Sequence, residues 1–168
     1  MLRVLMIISV AFLFLAGCAK EKQAAQMPDE MPEDFGFSVS FGYGEVNKNE
    51  INTYNNTVTK DLITKGTATA DLSFSKEELR AIYGKMKDLN ILKAKQFPER
   101  GNCSQTPSNT DSWNVTVNGV SKTLEWTNEY CEMTQDAEQL KELRSYIQQI
   151  VEDKQSYKAL PSAEGGYD

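Results

Sequence analysis

Three cysteines, Cys18, Cys103 and Cys131, and 24 carboxylates are the side chains of this 168-residue chain best equipped for chemistry. Histidine is absent. That absence removes Ser-His-Asp and Cys-His catalysis, the His-containing zinc sites and any His-based pH switch. The carboxylates alone mark no site. Glycosidase-type hydrolysis needs two carboxyls about 5–10 Å apart in a cleft, and no local spacing singles out such a pair. Asn47-Lys48-Asn49-Glu50 offers oxygen ligands without the D-x-[DN]-x-[DN]-G order of a calcium loop, and reads as a solvated turn. Neither GxGxxG nor GxxxxGK[ST] occurs, so no nucleotide site is indicated. No cofactor and no metal are expected.

The cysteines are placed by what surrounds them. Met1-Leu2-Arg3 opens with one positive charge, and Val4–Ala16 follows as 13 uncharged residues, apolar but for Ser9. This is the pattern of a secretory signal, too short for a helix that must cross a hydrocarbon core of about 30 Å. The run ends in Leu15-Ala16-Gly17-Cys18. These four residues resemble the bacterial lipobox at every position. An ordinary signal cut near Ala19 is the alternative, and it leaves Cys18 without a role.

The resemblance implies lipidation of Cys18. The small Ala16 and Gly17 let extended backbone enter a peptidase cleft, the thiol takes a diacylglyceryl group, and cleavage makes Cys18 the new N-terminus. Two or more acyl chains anchor stably where one binds only marginally. Ala19 is not the aspartate that resembles an inner-membrane retention signal. The implied location is the outer membrane of a Gram-negative host, or the outer face of the cell membrane of a Gram-positive one.

Loss of residues 1–17 removes Arg3 and no acid, so the formal charge moves from −6 to −7. Without a basic cluster, binding to nucleic acid is disfavoured. Attachment to a membrane must come from lipid, because no polybasic patch is present. With Cys18 assigned to lipid, Cys103 and Cys131 remain as an even pair in an oxidising compartment, and a disulfide is expected. No Cys-x-x-Cys is present, so the bond reads as structural.

The elements that must position these residues follow in order. Residues 18–34 are polar, carry Pro28 and Pro32, and read as a flexible tether. Phe35, Phe37, Val39 and Phe41 alternate with small residues, a strand pattern that ends at Gly42-Tyr43-Gly44. That last tripeptide can present an aromatic ring to a ligand or to peptidoglycan, or simply make a turn. Glu50–Tyr54, Thr57–Ile63 and Thr67–Phe74 read as further extended segments. Ser75-Lys76-Glu77-Glu78 is a capping box. It opens a helix to about Asn90 whose stripe is Leu79, Ile82, Tyr83, Met86 and Leu89. Gly101–Ser112 is read as a loop.

Trp113–Val117, Asn118-Gly119 and Val120–Trp126 form a hairpin signal, since Asn-Gly tolerates the positive φ of a type I′ turn. Its register sets Val117 opposite Val120, Val115 opposite Lys122 and Trp113 opposite Leu124. Extended outward, it brings Cys103 within reach of Cys131, a staple of roughly 3–4 kcal/mol in the chain-entropy model. Thr134 caps a second helix, running to about Asp153, with Ala137, Leu140, Leu143, Ile147, Ile150 and Val151 on its apolar face.

The reading is one α+β domain over residues 35–154. It is an antiparallel sheet of about five or six strands with two amphipathic helices packed against it, followed by a disordered tail over 155–168. The order of sheet, helix, cysteine-flanked hairpin and helix is similar to that of small bacterial envelope domains of unassigned activity, a resemblance that carries no functional residue. The expected function is that of a non-catalytic module binding an envelope protein or a cell-wall component. Two alternatives stay open: an inhibitor or immunity-type lipoprotein that blocks a hydrolase with Gly101–Ser112, and a carboxylate-dependent hydrolase. Replacing Cys18→Ser should abolish acylation and leave uncleaved precursor. Normal incorporation of labelled fatty acid by that variant would remove the lipoprotein reading.

Overall fold

The computed structural model describes residues 26–43, 48–99 and 101–167; the lipobox and Cys18 lie outside these residues. The elements are β1 (Gly36–Tyr43), β2 (Asn49–Asn52), β3 (Thr57–Asp61), β4 (Thr67–Asp71), α1 (Lys76–Asp88), β5 (Asn109–Val117), β6 (Val120–Thr127), α2 (Gln135–Asp153) and a short α3 (Gln155–Lys158). All strand pairs are antiparallel, in the order β4-β3-β2-β1-β5-β6. The fold is α+β, as the alternation and helical periods imply.

Alternation decides which side of the sheet is covered. Phe37, Val39, Ile51, Val58, Trp113, Val115, Val117, Leu124 and Trp126 are buried in one cluster with Ile82, Met86, Leu140, Leu143 and Ile147 from the helices. The helices therefore cover one face of the sheet, and the other stays open. α1 starts at the expected capping box: the side chain of Ser75 accepts from the backbone N–H of Glu78, and the Glu78 carboxylate accepts from the N–H of Ser75. Thr134 caps α2 by accepting from the N–H of Ala137.

The Asn-Gly turn holds the hairpin in the expected register, with φ of 50° at Asn118 and 72° at Gly119. Val117 faces Val120, Val115 faces Lys122 and Trp113 faces Leu124. Lys122 lies on the covered side of the edge strand β6. Its ammonium donates to the carbonyl oxygens of Leu92 at 3.3 Å and Lys93 at 3.2 Å, which makes that position tolerable. Cys103 and Cys131 stand at disulfide distance, joining the chain before β5 to the turn after β6.

Three segments differ from the expectation. β5 begins at Asn109 and not at Trp113, because Asn109–Ser112 pair with Ser40–Tyr43 of β1; the loop is correspondingly shorter. Residues 26–34 are no free tether. Met27 is buried, the Tyr83 hydroxyl donates to the Pro28 carbonyl at 2.7 Å, and Lys87 pairs with Asp29 at 2.7 Å. Asp34 then accepts from the turn N–H groups of Asn118 and Gly119. This strap runs along α1 to the tip of the hairpin.

The C-terminal tail also packs. Tyr157 and Leu160 lie against the core, and Glu164 bridges in parallel to Ile63. Tyr167 hydrogen-bonds Asp61 and stacks near Tyr43, with ring centroids 5.8 Å apart. The tail's few apolar rings find cover, which its overall polarity hides. Met27→Ala should lower stability by about 2–3 kcal/mol, the cost of truncating a buried methionine. Chemical denaturation checks this, and an unchanged midpoint would put the strap outside the folding unit.

Candidate functional site

Among the described residues, three places are candidates for function: the open face of the sheet, the cysteine-stapled loop, and a buried ion pair under α2.

The open face is built by the residues that alternate with the core. Across the strands from β4 to β6 run Asp71, Thr57, Asn52, Ser38, Asn114 and Thr123, and beside them Thr69, Thr59, Glu50, Ser40, Ser112 and Glu125. Short hydroxyl and amide side chains leave the surface flat. Thr59 and Thr69 hydroxyls lie 2.9 Å apart, as do those of Thr116 and Ser121, so the cross-strand pairs are mutually satisfied.

Tyr167 covers the corner of this face at Asp61, and a second ring stands exposed at the opposite end. Tyr54, in the β2–β3 turn, is 43% exposed although its position is fully determined. The Asn52 side-chain oxygen accepts from the N–H groups of Tyr54 and Asn55, and Thr53 ties the turn to Phe37 through both backbone polar groups. The Tyr54 hydroxyl donates to the Gly36 carbonyl at 3.1 Å and lies 3.0 Å from the Thr116 hydroxyl. The ring rests on Gly36, where a Cβ would stand 2.7 Å from its edge, so only glycine fits beneath it. The opposite face of the ring is free.

The stapled loop is the second place. Gly101–Pro107 is exposed throughout. Its base is fixed by the Cys103–Cys131 pair, by the Gln105 N–H donating to Glu129 at 2.8 Å, and by Asn109 N–H donating to the Asn128 side chain at 2.7 Å. The loop is thus held at one end of the hairpin and free of cover.

The third place is inside. Asp111 faces the helices, fully buried between Phe41 and Trp126 of the flanking strands. Arg144 of α2 donates its Nε–H to Oδ2 at 2.7 Å while its guanidinium lies 4.8 Å from the Phe41 ring. Burial pushes the Asp111 carboxyl up to about 6, against the pull of Arg144 and Lys141. Its other oxygen, like the indole N–H groups of Trp113 and Trp126, has no hydrogen-bond partner. A raised carboxyl is what an acid catalyst needs. Here it is enclosed by side chains, and its partner is a cation. The geometry is that of a pin between sheet and helix.

Among the described residues, no group of three or more His, Cys, Asp or Glu side chains is placed to hold a metal ion. No described helix is long and apolar enough to cross a membrane. Sequence reasoning named Cys103 and Cys131, and the structure brings them together; Cys18 lies outside the described residues. Glu50 falls on the open face, while Asn47 and Gly44 are not described. Tyr54 and Asp111 were missed. A lone Tyr in a turn and a lone Asp at a strand start carry no signal until Gly36 and Arg144 are placed beside them. No family model, no curated protein and no solved structure matches this chain.

An acid whose pKa is higher folded than unfolded holds a proton in the folded chain that the unfolded chain has released. Stability therefore falls as pH rises from about 4 to about 6. Asp111→Asn keeps an acceptor for Arg144 and removes this titration. Its stability relative to the native chain should rise by about 2–3 kcal/mol across that window. Denaturation midpoints measured from pH 4 to 7 test it, and parallel profiles would refute it.

Proposed function

We propose that this chain is a lipid-anchored protein of the bacterial cell envelope that acts as a non-catalytic binding module. The lipobox Leu15-Ala16-Gly17-Cys18 supports the anchor and the address. The observation that carries the binding reading is the two-sided sheet, in which the helices complete one face and leave the other flat, polar and uncovered. Tyr54, rigid and half exposed at the end of the face over Gly36, has the character of an interface anchor: large contact area with little rotamer entropy left to lose. The occupant is an envelope protein or a cell-wall component, and no cofactor takes part.

The stapled loop favours a second reading. An exposed loop whose base is tied by a cysteine pair and backbone hydrogen bonds is pre-organised, which lowers the entropy lost on docking. This suits an inhibitor that enters the cleft of a hydrolase. Crosslinking in the native envelope, with photoreactive residues at Ser40, Ser112 and Asn102, separates the two. Stoichiometric adducts from Ser40 and Ser112 support the open face, and adducts from Asn102 alone support the loop. Adducts from neither position, with those at exposed Glu142 of α2 equally frequent, would defeat the binding-module reading.

A further inference from the structure

The charges on the sheet are sorted by side. The strands carry Glu50, Lys60, Asp61, Asp71, Asp111, Lys122 and Glu125. Glu50, Asp61, Asp71 and Glu125 fall on the open face, and both lysines fall on the helix side. There Lys60 lies 5.2 Å from the Tyr157 ring centre and Lys122 reaches the carbonyls of Leu92 and Lys93. An acidic composition does not explain this sorting, since the exposed helix surfaces carry both signs, for instance Lys76, Glu77 and Arg80 on α1. Asp61 is buried under Tyr167, whose hydroxyl also meets Lys48, so that corner is covered and balanced; the acids left exposed to a partner are Glu50, Asp71 and Glu125.

From this we infer that the open face docks a protein segment rich in Lys and Arg, with Tyr54 as the anchor at one end. The inference rests on the binding-module reading and names its partner. Complementary charge steers such a partner and suppresses acidic ones. Guanidinium and ammonium groups also stack on the free face of an aromatic ring. Tyr54 supplies that ring at the end of the face, over Gly36 and next to Thr116.

The position of the anchor agrees. The chain enters the fold on the helix side, where Met27 is buried and the Pro28 carbonyl meets Tyr83 of α1. From Cys18 to Gln26 is eight residues, at most about 28 Å of extended chain. A leash that joins the fold beside α1 attaches it to the membrane from the helix layer. An anionic leaflet repels the acidic face at short range, which turns the face outward to meet soluble partners.

The test uses the full acylated chain in nanodiscs of neutral phosphatidylcholine, so that a basic peptide does not bind the lipid. The probes are a fluorescent ten-residue Lys/Arg peptide, a neutral peptide of equal length, and a soluble muropeptide. Two triple variants remove the same charge: Glu50→Gln, Asp71→Asn and Glu125→Gln on the open face, and Glu77→Gln, Glu138→Gln and Glu142→Gln on the helices. Thermal melting confirms that each is folded.

The open-face triple should weaken the basic peptide about tenfold or more and flatten its salt dependence, whereas the helix triple should change it less than twofold. Tyr54→Ala should weaken it by about tenfold and Tyr54→Phe should retain binding, because the ring makes the contact. Equal losses in the two triples would overturn the proposal. So would muropeptide binding that depends on Tyr54 while the basic peptide ignores the face. Envelope adducts at Ser40 and Ser112 combined with either of these results would leave the module reading standing and remove only the basic partner.

Discussion

The pairing of β1 with β5 is the constraint on which the rest of the molecule depends. Eight register pairs, from Gly36 with Thr116 to Tyr43 with Asn109, join a meander of four strands to a hairpin formed much later in the chain. Phe37, Val39, Trp113 and Val115 meet along this seam and are completely buried. α1 lies between the two halves in sequence and can only be placed once they have met. The seam sets one parity for all six strands. A slip of one residue would put the serines of β1 under the helices and its aromatic rings in water.

Three charged strand residues lie on the covered side, and each one positions an element above the sheet. Asp111 requires Arg144, which fixes the rotation of α2. Lys122 requires the Leu92 and Lys93 carbonyls, which draws the irregular segment after α1 down onto β6. Lys60 is covered by the Tyr157 ring, which holds α3 against the far side. The same irregular segment is tied to α2 by Lys95, which pairs with Asp136 at 3.0 Å, and by Thr134, whose hydroxyl donates to the Gln96 carbonyl. A purely apolar layer would pack as tightly but leave the helices free to slide. Directional polar contacts select one arrangement, at the expense of a desolvated carboxylate under α2.

Local signals in the chain proved readable because their physics is local. The capping box at Ser75, the Asn118-Gly119 turn and the hairpin register each need only a few neighbouring residues. The open and covered faces followed from the same alternation. What could not be read was everything decided by distant partners. Asn109–Ser112 is a polar stretch that becomes strand only because β1 extends alongside it. Residues 26–34 look like linker, yet Met27 finds a gap beside α1 and Asp34 finds two free turn amides. Tyr54 looks like any turn tyrosine until Gly36, eighteen positions earlier, leaves room for its ring.

Sheets with a bare face usually risk pairing through their edges, and here the edges are the guarded part. β4 is only five residues long and ends in Asp71, and the β3–β4 turn beside it is occupied by Glu164. β6 is longer, but Lys122 points inward in its middle, a placement that penalises an added strand because the buried charge must stay paired. The face has no such defence: Thr59 with Thr69 and Thr116 with Ser121 satisfy one another across strands, and the Tyr54 ring is held open to solvent. Selection against edge pairing together with an unguarded face directs association to the surface of the sheet. There side-chain charge and shape, and not backbone hydrogen bonding, decide which partner is accepted.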